Sequence, residues 1–464
     1  MVAWSGLAAW SGRGQPGRAG RLTDTAAAPS ESDDDALAGP AHGEPAGDPG
    51  ERIPEGNNWL SFSLLRLFPA LGVRDYRIVW EGNVATSLSY WMQQTVEGWL
   101  IYELTGSPLF LGVIALARTA PLILFSPFGG VIADRVHRVH LIMYSQLVAG
   151  AVAIAVALLL LLKLLEPWHL LIAAVIAGTM TSINIPARQA LIASLVGRQL
   201  IMNAVALHSF ALNTSRIIGP QIAGLLLSLI GPFACYIGQG GAYLWASQNL
   251  RRIQDRPTIA PAGASGFIAN MIEGMRYAFT NPQLRGVFLA GAVSTTLLIP
   301  YMQFLPAFVK DVYDSGPGGL AILMGAAGAG GLLGSLLTAA MGNMRRKGYL
   351  LFAGSFVAAA GTIGLALSPS LTLSAAILVL AGIGSGISML TVGALMQLIA
   401  ADEYRGRVGS LQIILWGLSA VGGLPMGFFA ERSSVPVVVG IAGVIATVLL
   451  LLLLVAQPKI RQIE

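Results

Sequence analysis

Long apolar runs, separated by short polar turns, occupy the chain from residue 77 to residue 456. About 20 apolar residues in a helix cross the roughly 30 Å hydrocarbon core of a bilayer, so each run is long enough to span a membrane. The longest polar connection of this region, residues 251–281, falls between the sixth and seventh runs. The pattern predicts twelve transmembrane helices in two groups of six, at residues 77–104, 108–133, 139–164, 168–192, 200–229, 232–250, 284–309, 318–342, 348–368, 370–400, 406–430 and 434–456.

Composition supports the same class of protein. Hydrophobic residues make up 55% of the chain and charged residues 11%, with a mean hydropathy of +0.68. Soluble domains average roughly 45–50% apolar and about 25% charged residues. The expected fold class is therefore an all-α polytopic membrane protein. With a single cysteine, Cys235, and five histidines that lack ligand spacing, we expect no internal disulfide, no metal site and no cofactor.

The beginning of the chain differs from the rest. Residues 1–57 are rich in Gly, Ala, Ser and Pro, and they contain no apolar window that could pack or span. We interpret them as a disordered cytoplasmic tail. The remaining predicted regions are an N-terminal six-helix bundle at 58–250, a cytoplasmic linker at 251–281, a C-terminal six-helix bundle at 282–457 and a cytoplasmic tail at 458–464.

Basic residues are distributed unequally between the two sets of predicted loops. Fourteen arginines and lysines lie in or beside loops 2–3, 4–5, 6–7, 8–9 and 10–11, Arg188 among them, whereas the alternate loops hold three, Lys163, Lys310 and Arg432. Cytoplasmic loops carry the excess of basic residues in membrane proteins. The distribution predicts a plasma-membrane protein with both termini in the cytoplasm.

The predicted turn after helix 2 carries a distinctive motif. Gly130, Asp134, Arg135 and Arg138 have the spacing Gly-x-x-x-Asp-Arg-x-x-Arg. This motif resembles the loop between helices 2 and 3 of the major facilitator superfamily. The resemblance implies twelve helices in two pseudo-symmetric six-helix bundles. It also implies that Asp134 docks at the start of helix 11, near Arg405, and helps to hold the two halves together on the cytoplasmic side.

Three further segments are similar to one branch of that superfamily, which contains the enterobactin exporter and the macrolide-efflux proteins. They are residues 74–77, 99–107 and 186–190. In helix 5, Gly219, Pro220 and Gly224 resemble the superfamily's antiporter signature, although Ala223 and Ser215 stand where glycines are usual. The resemblance implies a proton-coupled exporter of amphipathic small molecules, such as drugs or siderophores, that works by alternating access.

A weak internal repeat agrees with two related halves. Gly219 and Gly423 lie 204 residues apart, and Leu207 and Leu411 are separated by the same interval. In transporters built from repeats, substrate sites lie near the membrane midplane between the repeats. Chance similarity between apolar helices is the alternative explanation of the repeat.

Charged residues inside the predicted helices indicate functional positions, because a charge in the bilayer is costly unless it is paired or hydrated. They are Glu97, Arg118 and Arg216. Two interpretations remain for each arginine: a substrate or ion-pair role in the central cavity, or a purely structural ion pair. Glu97 is the candidate proton carrier, because burial and a neighbouring arginine have opposing effects on carboxylate protonation. Gln93 and Gln94 are candidates for lining the same cavity.

The energy source follows from the motifs that the sequence lacks. No Gly-x-x-x-x-Gly-Lys-[Ser/Thr] loop occurs, so we expect an ion gradient rather than ATP to drive transport. No grouping of catalytic residues favours an enzyme. An importer, or a carrier of another small solute, is the alternative function, and a channel is less favoured. The expected partners are the lipid bilayer, a small-molecule substrate and protons, with no nucleic acid, and we expect a monomer.

Overall fold

A computed structural model describes residues 68–253, 267–341, 344 and 346–457, with residues 126–135, 198 and 267–271 described by their backbone alone. The predicted tails at 1–57 and 458–464 lie outside the described residues. Within the described part, every regular element is a helix. We number the spanning segments α1 to α12 in chain order.

The first six segments occupy the first six predicted spans. They are α1 (Arg74–Thr105), α2 (Pro108–Arg135), α3 (Arg138–Leu161), α4 (Pro167–Gly197), α5 (198–229) and α6 (Pro232–Leu250). α4 and α5 continue into each other, and the boundary between them is Gly197, with φ 66° and ψ 177°. That backbone conformation is open essentially to glycine alone, so Gly197 sets the bend between the two helices.

The second six segments follow the linker. They are α7 (Pro282–Val312), α8 (Pro317–Ala340), α9 (Lys347–Leu367), α10 (Leu371–Ile399), α11 (Arg405–Arg432) and α12 (Val435–Ala456). α7 is irregular, with π-helical turns at Ser294–Leu298 and Phe308–Val312 on either side of Tyr301–Ala307. Pro300 and Pro306 lie in this region, and proline removes a backbone donor, which accounts for a departure from regular α-helix here.

The interpretation of residues 251–281 as a polar connection is incomplete. Phe267–Thr280 forms a helix, the linker helix. Its Glu273 forms an ion pair with Arg407 of α11 at 2.7 Å, and its Tyr277 ring stacks on Tyr404 at 4.1 Å between centroids. The linker helix therefore packs on the start of α11.

Among the described residues, nine of the spanning segments are both long enough and apolar enough to cross a membrane. α1, α5 and α6 are less apolar. In α1, the polar side chains that lower the average hydropathy face the protein interior: Asn83, Thr86, Ser87, Ser89, Thr95 and Glu97 are all buried. In α1, the lower hydropathy thus reflects polar groups that face inward.

The two halves of the chain meet mainly through two helix pairs, α2 with α11 and α5 with α8. A methyl group on Gly224 of α5 would lie 2.3 Å from the Ala321 Cβ atom of α8. A methyl group on Gly427 of α11 would lie 2.8 Å from the Pro108 carbonyl oxygen of α2. Small residues allow such close approach of helices. In two related halves, α2 corresponds to α8 and α5 corresponds to α11. The α2–α11 contact is therefore equivalent to the α8–α5 contact, as expected of two pseudo-symmetric six-helix bundles.

Both contacts lie toward one end of the molecule. We call the end formed by the turns at 106–107, 230–231, 313–316 and 433–434 the distal end. The opposite end, where the described chain enters α1 and leaves α12, is the proximal end.

Candidate functional site

Glu97 and Arg118 form a buried ion pair between α1 and α2. Glu97 is 1% exposed, the Arg118 side chain is 13% exposed, and Arg118 Nη2 donates to Glu97 Oε2. The second carboxylate oxygen, Oε1, is also buried, and it has no hydrogen-bond partner among the described residues. The ion pair, one of the two alternatives that the sequence left open for Arg118, is thus formed, and one oxygen of Glu97 has no hydrogen-bond partner among the described residues.

The backbone around Arg118 is held by close packing against α4. A methyl group on Gly178 would lie 2.0 Å from the Arg118 carbonyl oxygen. Only glycine allows α4 to come this near, so Gly178 fixes the position of α2 beside Glu97.

Arg216 of α5 lies where both halves meet. Its guanidinium carbon is 5.4 Å from the Trp91 ring centroid of α1, and its Nη2 atom is 3.8 Å from the Met302 sulfur of α7. Its Nε atom is buried without a hydrogen-bond partner, and no described carboxylate lies within 4.0 Å of its guanidinium. Arg216 therefore differs from Arg118 in having no acidic partner among the described residues.

Among the described residues, no hydrogen bond joins Gln93 or Gln94 to Glu97 or Arg118. Gln93 Oε1 accepts a hydrogen bond from Gln239 of α6 at 2.7 Å, and Gln94 donates to the Tyr90 hydroxyl at 2.9 Å. Each amide is engaged by a neighbour. The structure thus brings Glu97 and Arg118 together but leaves Gln93 and Gln94 out of that contact.

The assignment of Arg188 to a cytoplasmic loop is wrong. Arg188 lies within α4 and is 8% exposed. It donates hydrogen bonds to three neutral oxygens, those of Asn83, Thr86 and Asn184. Loop counting missed this network because an arginine near a span boundary reads as a loop residue.

The glycines and proline of the helix 5 motif lie at close contacts. Gly219 faces α1, where an added methyl group would lie 2.7 Å from the Trp91 Cβ atom, and Gly224 faces α8 as described above. Pro220 lies inside the helix between them. The motif thus packs α5 against helices of both halves.

The motif after helix 2 is described only in part. α2 continues to Arg135, but the side chains of Gly130, Asp134 and Arg135 lie outside the described residues. Arg138 begins α3, and its Nη1 atom is 3.5 Å from the Ala190 carbonyl oxygen of α4. Docking of Asp134 at the start of α11 remains a prediction.

A cluster of contacts that sequence analysis did not find closes the distal end. The Tyr102 hydroxyl of α1 donates to the Asp311 carboxylate of α7, and the Lys310 ammonium lies 5.2 Å from the Trp99 ring centroid. Nearby, the Ser107 hydroxyl donates to Glu431 at 2.8 Å. We call Trp99, Tyr102, Ser107, Lys310, Asp311 and Glu431 the distal gate.

A neutral pocket lies within the second half. The space in it that water-sized molecules can occupy is about 30 Å³, and its polar lining includes Ser294, Thr295, Ser385, Ser388 and Gln412 beside the Trp416 ring. Ile299 also lines it, and the Ile299 carbonyl accepts from the Met302 backbone N–H at 3.2 Å. One turn of α7 therefore carries Ile299 of this pocket and Met302, whose sulfur lies 3.8 Å from Arg216 Nη2.

The paired six-helix halves define a membrane transporter of the major facilitator superfamily, which confirms the predicted fold class. Residues 68–464 match the family described as transmembrane secretion effector, and the chain belongs to this family. It is therefore a transporter and not an enzyme.

Similar proteins agree with this assignment. The chain is 26% identical to the multidrug efflux pump Tap of Mycolicibacterium fortuitum over 388 residues, 79% of this chain and 91% of Tap. It is 26% identical to the enterobactin exporter EntS of Shigella boydii serotype 4 over 439 residues, 87% of this chain and 97% of EntS. The resemblance to the enterobactin-exporter and macrolide-efflux branch is thereby confirmed.

Solved structures show the same fold. The nucleoside transporter NupG superposes with a TM-score of 0.69 at 12% identity, covering 82% of this chain and 98% of NupG. At this identity, the similarity concerns the fold alone.

Proposed function

We propose that this chain is a proton-coupled exporter of amphipathic small molecules, such as drugs or siderophores, working by alternating access in the plasma membrane. In this proposal both termini are cytoplasmic, so the distal end faces the outside. The names of Tap and EntS, an efflux pump and an exporter, support the direction of transport. The observation that carries proton coupling is the buried Glu97–Arg118 pair with its free carboxylate oxygen.

Protonation of Glu97 removes the charge that balances Arg118. Breaking a buried ion pair from one side destabilises a protein by about 3–5 kcal/mol. A free-energy difference of this size is enough to reverse a balance between two conformations. Because α1 carries both Glu97 and the gate residue Tyr102, one helix links the protonation state to closure of the distal end.

The contacts between the halves are consistent with a state that is closed to the outside. The side-chain hydrogen bonds described between the halves involve Thr95, Tyr102, Ser107, Arg216 and Gln221. All of these residues lie at the level of Arg216 or nearer the distal end. In the proposed orientation, these contacts close the outer end of the transporter.

Proton exchange in inside-out vesicles tests this function. The vesicles are prepared from a host that lacks its own major drug exporters, and respiration acidifies their interior, which quenches the dye ACMA. Macrolides, cationic dyes and siderophores are then added in turn. We expect at least one compound to restore fluorescence with the wild-type protein, because uptake of the compound releases protons.

Two variants complete the test. Glu97→Gln should abolish the fluorescence recovery, whereas Glu103→Gln, which removes an exposed carboxylate from the same helix, should not. Recovery of equal size in Glu97→Gln and the wild type would remove Glu97 from the mechanism. Saturable transport of a compound without proton movement would contradict proton coupling itself.

A further inference from the structure

Buried positive charge exceeds buried negative charge in the described membrane region. Away from the helix ends, the buried or half-buried charged side chains are three arginines and one glutamate: Glu97, Arg118, Arg188 and Arg216. Three positive charges and one negative charge leave a sum of +2. Charges at membrane depth are costly and mark ion or substrate pathways unless they are paired.

Two of these arginines are engaged by the protein. Arg118 has the carboxylate of Glu97. Arg188 has three neutral oxygen acceptors, which satisfy several of its donors although they do not balance its charge. Arg118 Nε is also buried without a hydrogen-bond partner among the described residues, but the charge of Arg118 is balanced by Glu97.

Arg216 has no comparable partners. A methionine sulfur is a weak acceptor, and the face of an indole ring attracts the cation without accepting its hydrogen bonds in the plane of the guanidinium. The facing helix α8 carries Gly331 here, where an added methyl group would lie 3.5 Å from Arg216 Nη1, and Gly328 packs against the Arg216 backbone carbonyl. At position 331, α8 therefore places no side chain against the guanidinium.

We propose that Arg216, backed by the Trp91 ring, binds an anionic group of the transported molecule, and that the substrates are amphipathic organic anions. A carboxylate or sulfonate accepts two parallel hydrogen bonds from one guanidinium, so it would supply both the acceptors and the charge that Arg216 lacks. This proposal rests on the proposed transport function and specifies its substrate class.

The position of Arg216 suits a substrate site. Its contacts come from α1 of the same half and from α7 of the other half. Rearrangement of the halves would therefore change the surroundings of the bound anion, as alternating access requires.

Two fluorescent probes distinguish the effect of the ligand's charge on binding from the effect of its shape. Dansyl-glycine carries a carboxylate, and dansyl-glycinamide replaces it with a neutral amide of nearly the same size. Binding of each probe to the full-length protein in lipid nanodiscs is measured by dansyl fluorescence, with empty nanodiscs as the blank. We expect the wild type to bind dansyl-glycine at least tenfold more tightly than dansyl-glycinamide.

Variants of Arg216 then locate the site. Arg216→Gln should weaken dansyl-glycine binding at least tenfold and leave dansyl-glycinamide binding unchanged. Arg216→Lys should retain part of the preference, because the charge remains while the planar fork is lost. Arg251→Gln removes an exposed positive charge and should bind both probes as the wild type does.

Several outcomes would overturn the proposal. They are failure of the wild type to bind dansyl-glycine, equal binding of the two probes, and a full preference for the acid in Arg216→Gln. Thermal unfolding tests a structural role: Arg216→Gln should keep or raise the unfolding midpoint, and a large decrease would show that Arg216 stabilises the fold instead. Because binding is measured without a pH gradient, its failure is distinguishable from failure of proton coupling.

Discussion

The hydroxyl group of Tyr102 donates a hydrogen bond to the carboxylate of Asp311, and this bond joins α1 of one half to α7 of the other. The two residues are 209 positions apart in the chain. Beside them, the Lys310 ammonium lies against the Trp99 ring. A contact of this kind can exist only while the distal end is closed, so it stabilises the closed state relative to the open one.

Tyr102→Phe should shift the balance toward the state that is open at the distal end. A hydrogen bond to a charged group is worth about 1.5–3 kcal/mol, so the open population should rise at least about tenfold. A cysteine at Thr95, which is 1% exposed, reports the opening when an impermeant thiol reagent is added outside to a protein carrying Cys235→Ser. Tyr144→Phe, at an exposed tyrosine, is the control. Equal labelling rates in the two variants would show that the Tyr102 bond does not hold the gate.

Gly178→Ala should destabilise the contact between α2 and α4. The added methyl group would lie 2.0 Å from the Arg118 carbonyl oxygen, so the helices must separate. Overpacking of this kind costs about 1–3 kcal/mol. The unfolding midpoint, measured by tryptophan fluorescence in nanodiscs, should fall relative to Gly238→Ala, where no atom lies within 4 Å of the new methyl group. If the midpoints of the two variants coincide, the close approach is not required.

The proposed topology predicts which turns an external reagent can reach. In a protein carrying Cys235→Ser, cysteines at Ser107 and Asp314 should label with an impermeant reagent added to whole cells. A cysteine at Asn343 should label only after the membrane is permeabilised. External labelling at Asn343 would contradict cytoplasmic termini and reverse the assignment of the distal end.

Asp134→Asn should weaken closure of the proximal end. A carboxylate near a helix N-terminus contributes about 0.3–1 kcal/mol, so its loss should reduce the population closed at that end by up to about fivefold. Disulfide cross-linking between cysteines at Ala133 and Gly409 should fall accordingly, and transport should decrease while expression persists. Asp314→Asn, an exposed aspartate at the distal end, is the control. An unchanged cross-linking yield in Asp134→Asn would argue against docking on α11.

The fold was predictable because each spanning run is constrained by the bilayer independently of the others. Glu97 and Arg118 were also predictable as important residues, since a charge at membrane depth needs a partner. Their pairing was not, because the sequence does not show how α1 and α2 face each other. The linker helix was not predicted, because its 14 residues lie within a polar connection and are too few to span a membrane.

The roles of Trp91 and Asp311 could not be read from the sequence either. Tryptophan is common at membrane interfaces, so the sequence favours an interfacial anchor at Trp91. Its contact with Arg216 depends on the packing of α5 against α1. Asp311 lies at the end of a span, where charges are ordinary, and Tyr102 is far from it in sequence. Contacts between the two halves arise only once both bundles have formed.

The account depends most on Glu97 as the group that couples protons to transport, and one comparison tests it directly. In proteoliposomes loaded with a compound that proves to be transported, Glu97→Gln should retain exchange of labelled for unlabelled compound, because substrate binding and the movement of the halves remain possible. It should lose accumulation driven by a pH gradient, which the wild type and Glu103→Gln should show. Accumulation by Glu97→Gln at the wild-type level under the same gradient would contradict the proposed mechanism.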